Sequence, residues 1–589
     1  MGDRGSSSRR FEGIPASPGI ALGRAFPVDR RRIRTPKYHI DPSEVEAELA
    51  RLDAAIALSE KQLEEIRNRL EQEEGGQEHM LIIEAHRLML RDDMLLKHAR
   101  ELIEREHINA EWAIRRTVKR IKKVFDSIDH EYFRERRGDV DFVGDRIVRN
   151  LMGQNVDVSE TPPDDAIVVA HDLSPADTVL FARQSILGIV TDVGSKTSHS
   201  AIVARALEIP AVVGAGRVSE AVGRGDTIVV DGTHGIVILS PSSEEIDAYR
   251  AARRAYLAHE EELLATRDLP AETPDGHRVS LVGNIEFPRE IPSVLEHGGE
   301  GIGLYRTEFL YLGRKAIPTE REHFEVYREI VGHVAPRPVT IRTYDLGGDK
   351  VPLGGRAREP NPAMGLRALR LCFKEPAIFE PQLRALLRAA RFGQLRIMFP
   401  MVSGVGELRR ARDLLDSVRE TLRSEGETVP EVPVGIMVEL PSAVAIADRL
   451  ADEVDFFSIG TNDLIQYALG IDRQNREVAY LYRPLHLAIL RMIRQTVEAG
   501  HAAGISVSVC GEMAGDPLYT PVLLGLGVDT LSMNALSIPV VKEVIRGCPR
   551  SEADALVEEV MGMEVVDDIE KRVRAFIVER FGNEILDQI

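Results

Sequence analysis

Two groups of residues in this chain of 589 could do chemistry. The first centres on His199, in the segment TDVGSKTSHSAIVAR that spans residues 191–205. An apolar, strand-like run from Ile186 to Val193 precedes it, and a short helix-compatible run from Ala201 to Leu207 follows. A histidine at such a junction has its ring near the backbone N–H groups of a helix start, where an anionic group is stabilised. That suits an imidazole carrying phosphate. Taken alone, the segment fits a surface histidine beside a Thr197 or Ser198 cap equally well.

The second group stands at the ends of expected strands. It comprises Arg306 in GLYRTEFL, Arg342 in TIRTYDLGGDK, Arg367 in NPAMGLRALR, Glu439 in GIMVELP, Asn462 and Asp463 in SIGTNDL, and Cys510 in VCGEMAGD. Arg473 follows soon after Asp463. Guanidinium groups converging on one rim repel one another unless an anion lies between them, and they suit phosphate and carboxylate because they bind both bidentately. Glu439 and Asp463 offer hard oxygen ligands, which favour Mg²⁺ or Mn²⁺ completed by water and substrate oxygens. A rim of mutually paired arginines and carboxylates is the alternative. Cys510 reads either as a small buried apolar residue or, at a strand end before Gly511, as a proton donor. A histidine in one place and an anion site in another imply that phosphate moves between them.

The elements that must position these residues follow from pattern. The chain exceeds a single core and implies about three or four domains, with a hydrophobic content of 43% and a charged content of 29% that fit an ordinary soluble protein. No apolar run approaches the roughly 20 residues needed to cross a bilayer, and no signal-peptide pattern opens the chain. Those two readings point to no membrane insertion, and Cys372, Cys510 and Cys548, far apart and in no metal-type cluster, point to a reducing cytoplasm. The net charge of −19 argues against a nucleic-acid binder but not against a basic protein partner. Residues 1–12 read as a disordered tail, and Arg30, Arg31, Arg32 and Arg34 as a solvated connection.

Residues 41–151 read as an all-α insertion. Asp41, Pro42 and Glu44 form a start signal, and Val45, Leu49, Leu52, Ile56, Leu63, Ile66 and Leu70 form one stripe. Gly75 and Gly76 break it, and helical pattern resumes from about His79 to Glu106 and from Ala110 to about Leu151. Residues 13–40 and 152–240 carry short β-branched strands and form a discontinuous α/β domain around that insertion. Residues 241–270 read as a linker helix. From 271 to 589 strands and helices alternate, the signature of a (β/α)8 barrel with its site at the C-terminal strand ends. Strand candidates lie at 279–284, 301–305, 338–343, 395–400, 434–439, 455–459, 505–510 and 529–533, with a ninth near 363–366. Nine candidates for eight places leave one too many. Gly301 and Gly303 lie within a strand rather than after it, so a dinucleotide fingerprint is a weak reading.

Together SKTSHSAI, GLYRTEFL, TIRTYDLGGDK, IMVELPSA, FFSIGTNDLIQY and VCGEMAGD resemble, in the family's order, the Enzyme I family of the bacterial sugar phosphotransferase system. The resemblance runs from about Gly13 to the C-terminus. It implies a phosphohistidine α/β swivelling domain with an inserted helical domain, followed by the barrel. It makes His199 the phosphorylated nucleophile, through Nε2, and Cys510 the proton donor. Arg306, Arg342, Arg367, Asn462, Asp463 and Arg473 would hold phosphoenolpyruvate, with Mg²⁺ on Glu439 and Asp463. The helical insertion, including Glu84 to Leu95, would dock a histidine-containing phosphocarrier protein, and the barrel would form a homodimer. Lys196 stands where the family signature often has arginine, which keeps the charge but not the bidentate contact. No further domain precedes residue 13, which counts against the nitrogen-regulatory paralogue.

On this resemblance the reaction opens sugar uptake: phosphoryl passes from phosphoenolpyruvate to His199, then to the carrier, releasing pyruvate. One histidine serving two partners implies that residues 1–240 swing relative to the barrel about a hinge at 241–270. The rival enzymes, phosphoenolpyruvate synthase and pyruvate phosphate dikinase, need a nucleotide-binding domain for which the chain has no segment. A scaffold that binds partners through its helices needs none of these site residues.

Overall fold

A computed structural model describes residues 8–28, 35–71, 86–87, 89–127, 131–153, 163, 165–173, 186–194, 199–206, 208–311, 317–347, 361–473, 475, 477–582 and 584–587. Arg30, Arg31, Arg32, Arg34, Glu84, Lys196, Thr197 and Ser198 lie outside the described residues. The chain forms two compact units, Met1–Ala258 and His259–Ile589.

The first unit is built on an eight-stranded sheet. Its strands are β1 (Arg9–Glu12), β2 (Ile14–Ser17), β3 (Ile20–Val28), β4 (Ala166–Ala170), β5 (Gly188–Thr191), β6 (Ala211–Val213), β7 (Thr227–Asp231) and β8 (Ile236–Leu239), in the order β1-β8-β7-β3-β4-β5-β6-β2. β3, β4, β5 and β6 pair in parallel and the rest antiparallel. The parallel centre is covered on both faces, which is why its strands read as continuous apolar runs. Ile167 and Val169 enter one core while Val168 and Ala170 enter the other, as the two-residue period of a strand requires. One correction concerns the tail. Arg9–Glu12 forms β1, because pairing with β8 satisfies its backbone and Phe11 packs on the core around Val230 and Val237.

The all-α insertion enters between β3 and β4 with α1 (Val45–Glu71), α2 (Asp93–Glu106), α3 (Ala110–Ser127) and α4 (Glu131–Leu151). Asp41 accepts the Ser43 N–H at 2.9 Å while Glu44 accepts the Asp41 N–H at 3.0 Å, so the first turn is closed by its own side chains. Leu52, Leu63, Ile103, Ile114 and Ile147 share one core. The pattern expected to run unbroken into α2 stops at Asp92, whose carboxylate accepts the Met94 N–H at 2.8 Å and starts α2 afresh. α5 (His199–Ala206) follows β5, and α6 (Ser243–Ala265) carries the chain across the boundary between the units.

The second unit is a closed barrel. Its strands are β9 (Ser280–Ile285), β10 (Ile302–Tyr305), β11 (Pro338–Arg342), β12 (Gln394–Phe399), β13 (Val434–Val438), β14 (Phe456–Ile459), β15 (Ser506–Val509) and β16 (Thr530–Met533), all parallel. The surplus strand candidate near 363–366 is a 3₁₀ turn, Pro362–Met364, followed by a single bridge between Gly347 and Arg367. Gly303 is a packing glycine: a Cβ there would lie 2.3 Å from Ser532 Oγ and 2.4 Å from Val282 Cγ2. Among the described residues no helix is long and apolar enough to cross a membrane.

Candidate active site

The alternation of strand and helix places every expected barrel residue at one mouth. Arg306 follows β10, Arg342 ends β11, Glu439 follows β13 and Cys510 follows β15. Asn462 and Asp463 open the helix Thr461–Leu469 that leaves β14, and Arg473 lies just beyond it. Arg367 reaches the same place from the segment after β11.

The arginines are not bare cations. Arg342, 9% exposed, donates from Nη2 to Glu308 Oε1 at 2.7 Å, and its Nη1 lies 3.1 Å from Asp345 Oδ2. Arg367 donates from Nη2 to both oxygens of Asp345 at 2.7 and 2.8 Å, and to Asp463 Oδ2 at 3.2 Å. Its Nη1 donates to the Tyr467 hydroxyl at 3.1 Å. Arg306 donates to Glu286 at 2.8 Å. Glu512 accepts from Asn462 Nδ2 and from Arg473 Nη1, each at 3.1 Å. The expectation of arginines held apart only by an anion is corrected to this extent: carboxylates already hold them. Burial opposes the charges of Arg342 and Arg367, yet Glu308 and Asp345 for the first, and Asp345 and Asp463 for the second, raise both above the ordinary arginine value.

Glu308, Asp345, Glu286 and Glu512 were not singled out from sequence. A signal existed: Glu308 lies two residues after Arg306, Asp345 three after Arg342, and Glu512 two after Cys510, all on strand-end segments already chosen. Which arginine each would take depends on the barrel's curvature, which pairs Arg342 with Glu308 from the neighbouring strand.

Glu439 is 1% exposed, and its Oε1 accepts the Met401 N–H at 2.6 Å. Burial first, then the charges of Asp463 and Asp345, push its carboxyl well above the usual range. A divalent cation relieves the repulsion that the neighbouring carboxylate charges exert on Glu439, so Glu439 with Asp463 is a donor pair that fits Mg²⁺ or Mn²⁺. Among the described residues no three acidic, histidine or cysteine side chains are grouped to hold a metal ion, so other oxygen donors, water and substrate among them, would have to complete such a site. Glu308 Oε2, Arg342 Nε and Thr461 Oγ1 are buried there without hydrogen-bond partners, polar capacity that the protein itself leaves unused.

Cys510, 3% exposed, packs against Leu304, Met398, Met437 and Phe456 inside the barrel, and its thiol donates to the Ile459 carbonyl at 3.6 Å. Burial pushes the thiol up, with Arg342 and Arg306 pulling the other way, so it stays protonated near neutrality. Asn284 fixes the Cys510 carbonyl by donating to it at 3.1 Å.

In the other unit His199 is the first residue of α5. Ala201 and Ala204 of α5 are fully buried against the sheet, and Arg205 donates to the Ala16 carbonyl at 3.1 Å, which holds the helix in place. Directly after β5, Asp192, 5% exposed, accepts the Ser219 N–H at 2.9 Å and lies 3.2 Å from His171 Nδ1.

Three family models cover the chain in order: PEP-utilising enzyme, N-terminal, over residues 12–136; PEP-utilising enzyme, mobile domain, over 162–235; and PEP-utilising enzyme, PEP-binding domain, over 260–549. The fold and the barrel mouth therefore belong to a PEP-utilising enzyme. The chain is 43% identical over 575 residues to the phosphoenolpyruvate-protein phosphotransferase of Bacillus subtilis (strain 168), covering 97% of this chain and 100% of that one. It is 43% identical over 570 residues to its counterpart in Staphylococcus carnosus (strain TM300), covering 96% and 99%. A solution structure of Enzyme I (nEIt) is 37% identical, with a TM-score of 0.37, over 42% of this chain and 99% of that one. The chain belongs to the phosphoenolpyruvate-protein phosphotransferase family.

Proposed function

We propose that this chain transfers the phosphoryl group of phosphoenolpyruvate to its own His199, and from there to a histidine of a phosphocarrier protein, as the first step of sugar uptake. The observation that carries this reading is the meeting of Arg306, Arg342, Arg367 and Arg473 with Glu439 and Asp463 at one barrel mouth. Such a mouth suits a small, highly charged acid that comes with a metal.

Phosphoenolpyruvate is close to a trianion, and the arginines neutralise and orient its phosphoryl and carboxylate oxygens. Mg²⁺ on Glu439 and Asp463, when bound, supplies further charge neutralisation at the transferring group. His199 attacks phosphorus through an unprotonated Nε2; the bond to the enol oxygen breaks as the P–N bond forms. The start of α5 favours the negative charge that arrives there. The departing enolate takes a proton at its methylene carbon from the Cys510 thiol and leaves as pyruvate. Phosphohistidine then passes its phosphoryl group to the carrier. The same reading assigns α1–α4 to carrier docking and the barrel, with Tyr480, Leu481 and Val565 exposed, to a cytoplasmic homodimer.

The test is incubation with Mg²⁺ and ³²P-labelled phosphoenolpyruvate for the wild type and His199→Ala. Acid-labile, alkali-stable label on the wild type alone is expected. No label on the wild type would sink the phosphotransferase reading, and label that requires ATP would favour a dikinase.

A further inference from the structure

Behind the barrel mouth lies a buried polar cluster that the chemistry above does not use. His323, fully buried on the helix Glu320–Val334, meets three tyrosines. Its Nε2 is 2.9 Å from the Tyr311 hydroxyl and 2.7 Å from that of Tyr344, and its Nδ1 is 2.9 Å from that of Tyr327. Gln382, on the helix Pro376–Ala389, completes the set.

The proton positions follow from one fixed donor. The Tyr344 backbone N–H donates to Gln382 Oε1 at 3.1 Å, so the other end of that amide, Nε2, donates to the Tyr327 oxygen at 3.1 Å. Tyr327 then gives its own proton to His323 Nδ1. A neutral ring accepting at Nδ1 carries its hydrogen on Nε2, where the Tyr311 and Tyr344 oxygens share it. Burial holds Tyr327 and Tyr344 as phenols, so each keeps a hydroxyl hydrogen for directional hydrogen bonding.

Its members come from the segments that build the site. Tyr311 closes the 3₁₀ turn Thr307–Leu310 that carries Glu308, with its N–H donating to the Glu308 carbonyl at 3.0 Å. Tyr344 stands between Arg342 and Asp345. Glu308 and Asp345 are the two carboxylates that grip Arg342. We propose that His323 is a positioning residue: by joining Tyr311 to Tyr344 it fixes both carboxylates and so aims Arg342 at phosphoenolpyruvate. The proposal rests on reading Arg342 as a substrate-binding group.

The experiment measures kcat and KM for phosphoenolpyruvate in formation of labelled full-length protein. The variants are Tyr311→Phe, Tyr344→Phe, the double variant, His323→Gln and, as a control, Ile330→Ala, a buried apolar change on the same helix. Because one N–H serves two oxygens, either tyrosine alone retains an acceptor, and each single variant raises KM by less than about threefold. The double variant strands a buried donor and raises KM about tenfold or more, with kcat within about threefold. His323→Gln keeps a donor and an acceptor and stays near the wild type. Ile330→Ala lowers the melting temperature without moving KM. A double variant with wild-type KM, or an equal rise in Ile330→Ala, overturns the proposal. An unlabelled wild type, or Arg342→Lys with unchanged KM, instead defeats the reading of the site on which it rests.

Discussion

Every charged group at the barrel mouth is defined by what opposes it. Cys510 is held protonated by burial, and that protonated state is the one an acid needs. Cys510→Ala is therefore expected to lower kcat for pyruvate release by about 100-fold or more, leaving KM within about threefold in a coupled pyruvate assay. A rise in KM with kcat untouched would make Cys510 a packing residue. Glu290 shows the same logic with opposite consequences for stability. Its Oε2 accepts the Glu286 N–H at 2.8 Å and so props the turn whose carboxylate pairs with Arg306. Burial first, then the Glu286 charge, raises the Glu290 carboxyl from 4.5 to about 7. The folded chain thus binds a proton that the unfolded chain releases. The resulting stability is fully present below the ordinary value and is lost as pH rises through about 7, a span of about 3 kcal/mol. Urea unfolding of Glu290→Gln should show a flatter decline than the wild type between about pH 5 and 8. Parallel curves would mean that Glu290 ionises as freely in the fold as out of it.

At the scale of elements, strand ends decide the chemistry, and glycines decide how closely strands approach. Gly303→Ala would drive a methyl group into Ser532 and Val282, costing about 1–3 kcal/mol, to be read as a lower urea midpoint for the barrel. Ser532 also donates to Asn284 Oδ1 at 2.6 Å, and Asn284 holds the Cys510 carbonyl, so kcat should fall with stability. Much of this architecture was legible because parallel strands buried on both faces leave uninterrupted apolar runs; the eight barrel strands fall within a residue or two of their expected places. The ninth candidate failed because Ala363–Leu366 is apolar without being extended: Pro362 favours a turn, and only Arg367 makes a bridge. Asp92 was read as part of a continuing helix although its type is that of a cap. Arg342 and Asp463 could be picked from their motifs, whereas Arg342's hold on Glu308 could not, since it joins adjacent strands whose register emerges only when the barrel closes. His323 and Tyr327 share one helix face at i and i+4, but Tyr311 and Tyr344 lie 12 and 21 residues away, and only tertiary packing brings those two to the same ring.

The whole molecule carries its own reporters for its two units. Its one tryptophan, Trp112, lies on α3 of the first unit, edge-on to His39 with ring centroids 5.5 Å apart. All three cysteines, Cys372, Cys510 and Cys548, are buried in the second. Two cores of this size, joined through α6, are expected to unfold in separable steps rather than as one cooperative body. Tryptophan fluorescence follows the first unit and thiol labelling the second. A ligand that binds only the folded barrel stabilises it by about 2.7 kcal/mol at 100 times its dissociation constant. In His199→Ala, where no phosphate can move onto the histidine, Mg²⁺ with phosphoenolpyruvate should therefore shift the thiol-detected transition upward and leave the fluorescence transition in place. Coincident transitions under all conditions would show that the two units are coupled strongly enough to fold as one. A shift confined to the fluorescence would put the ligand in the unit that lacks the arginine rim. The expected asymmetry separates binding from chemistry: binding of the acid alone should be felt by the barrel's own transition, without any transfer to His199.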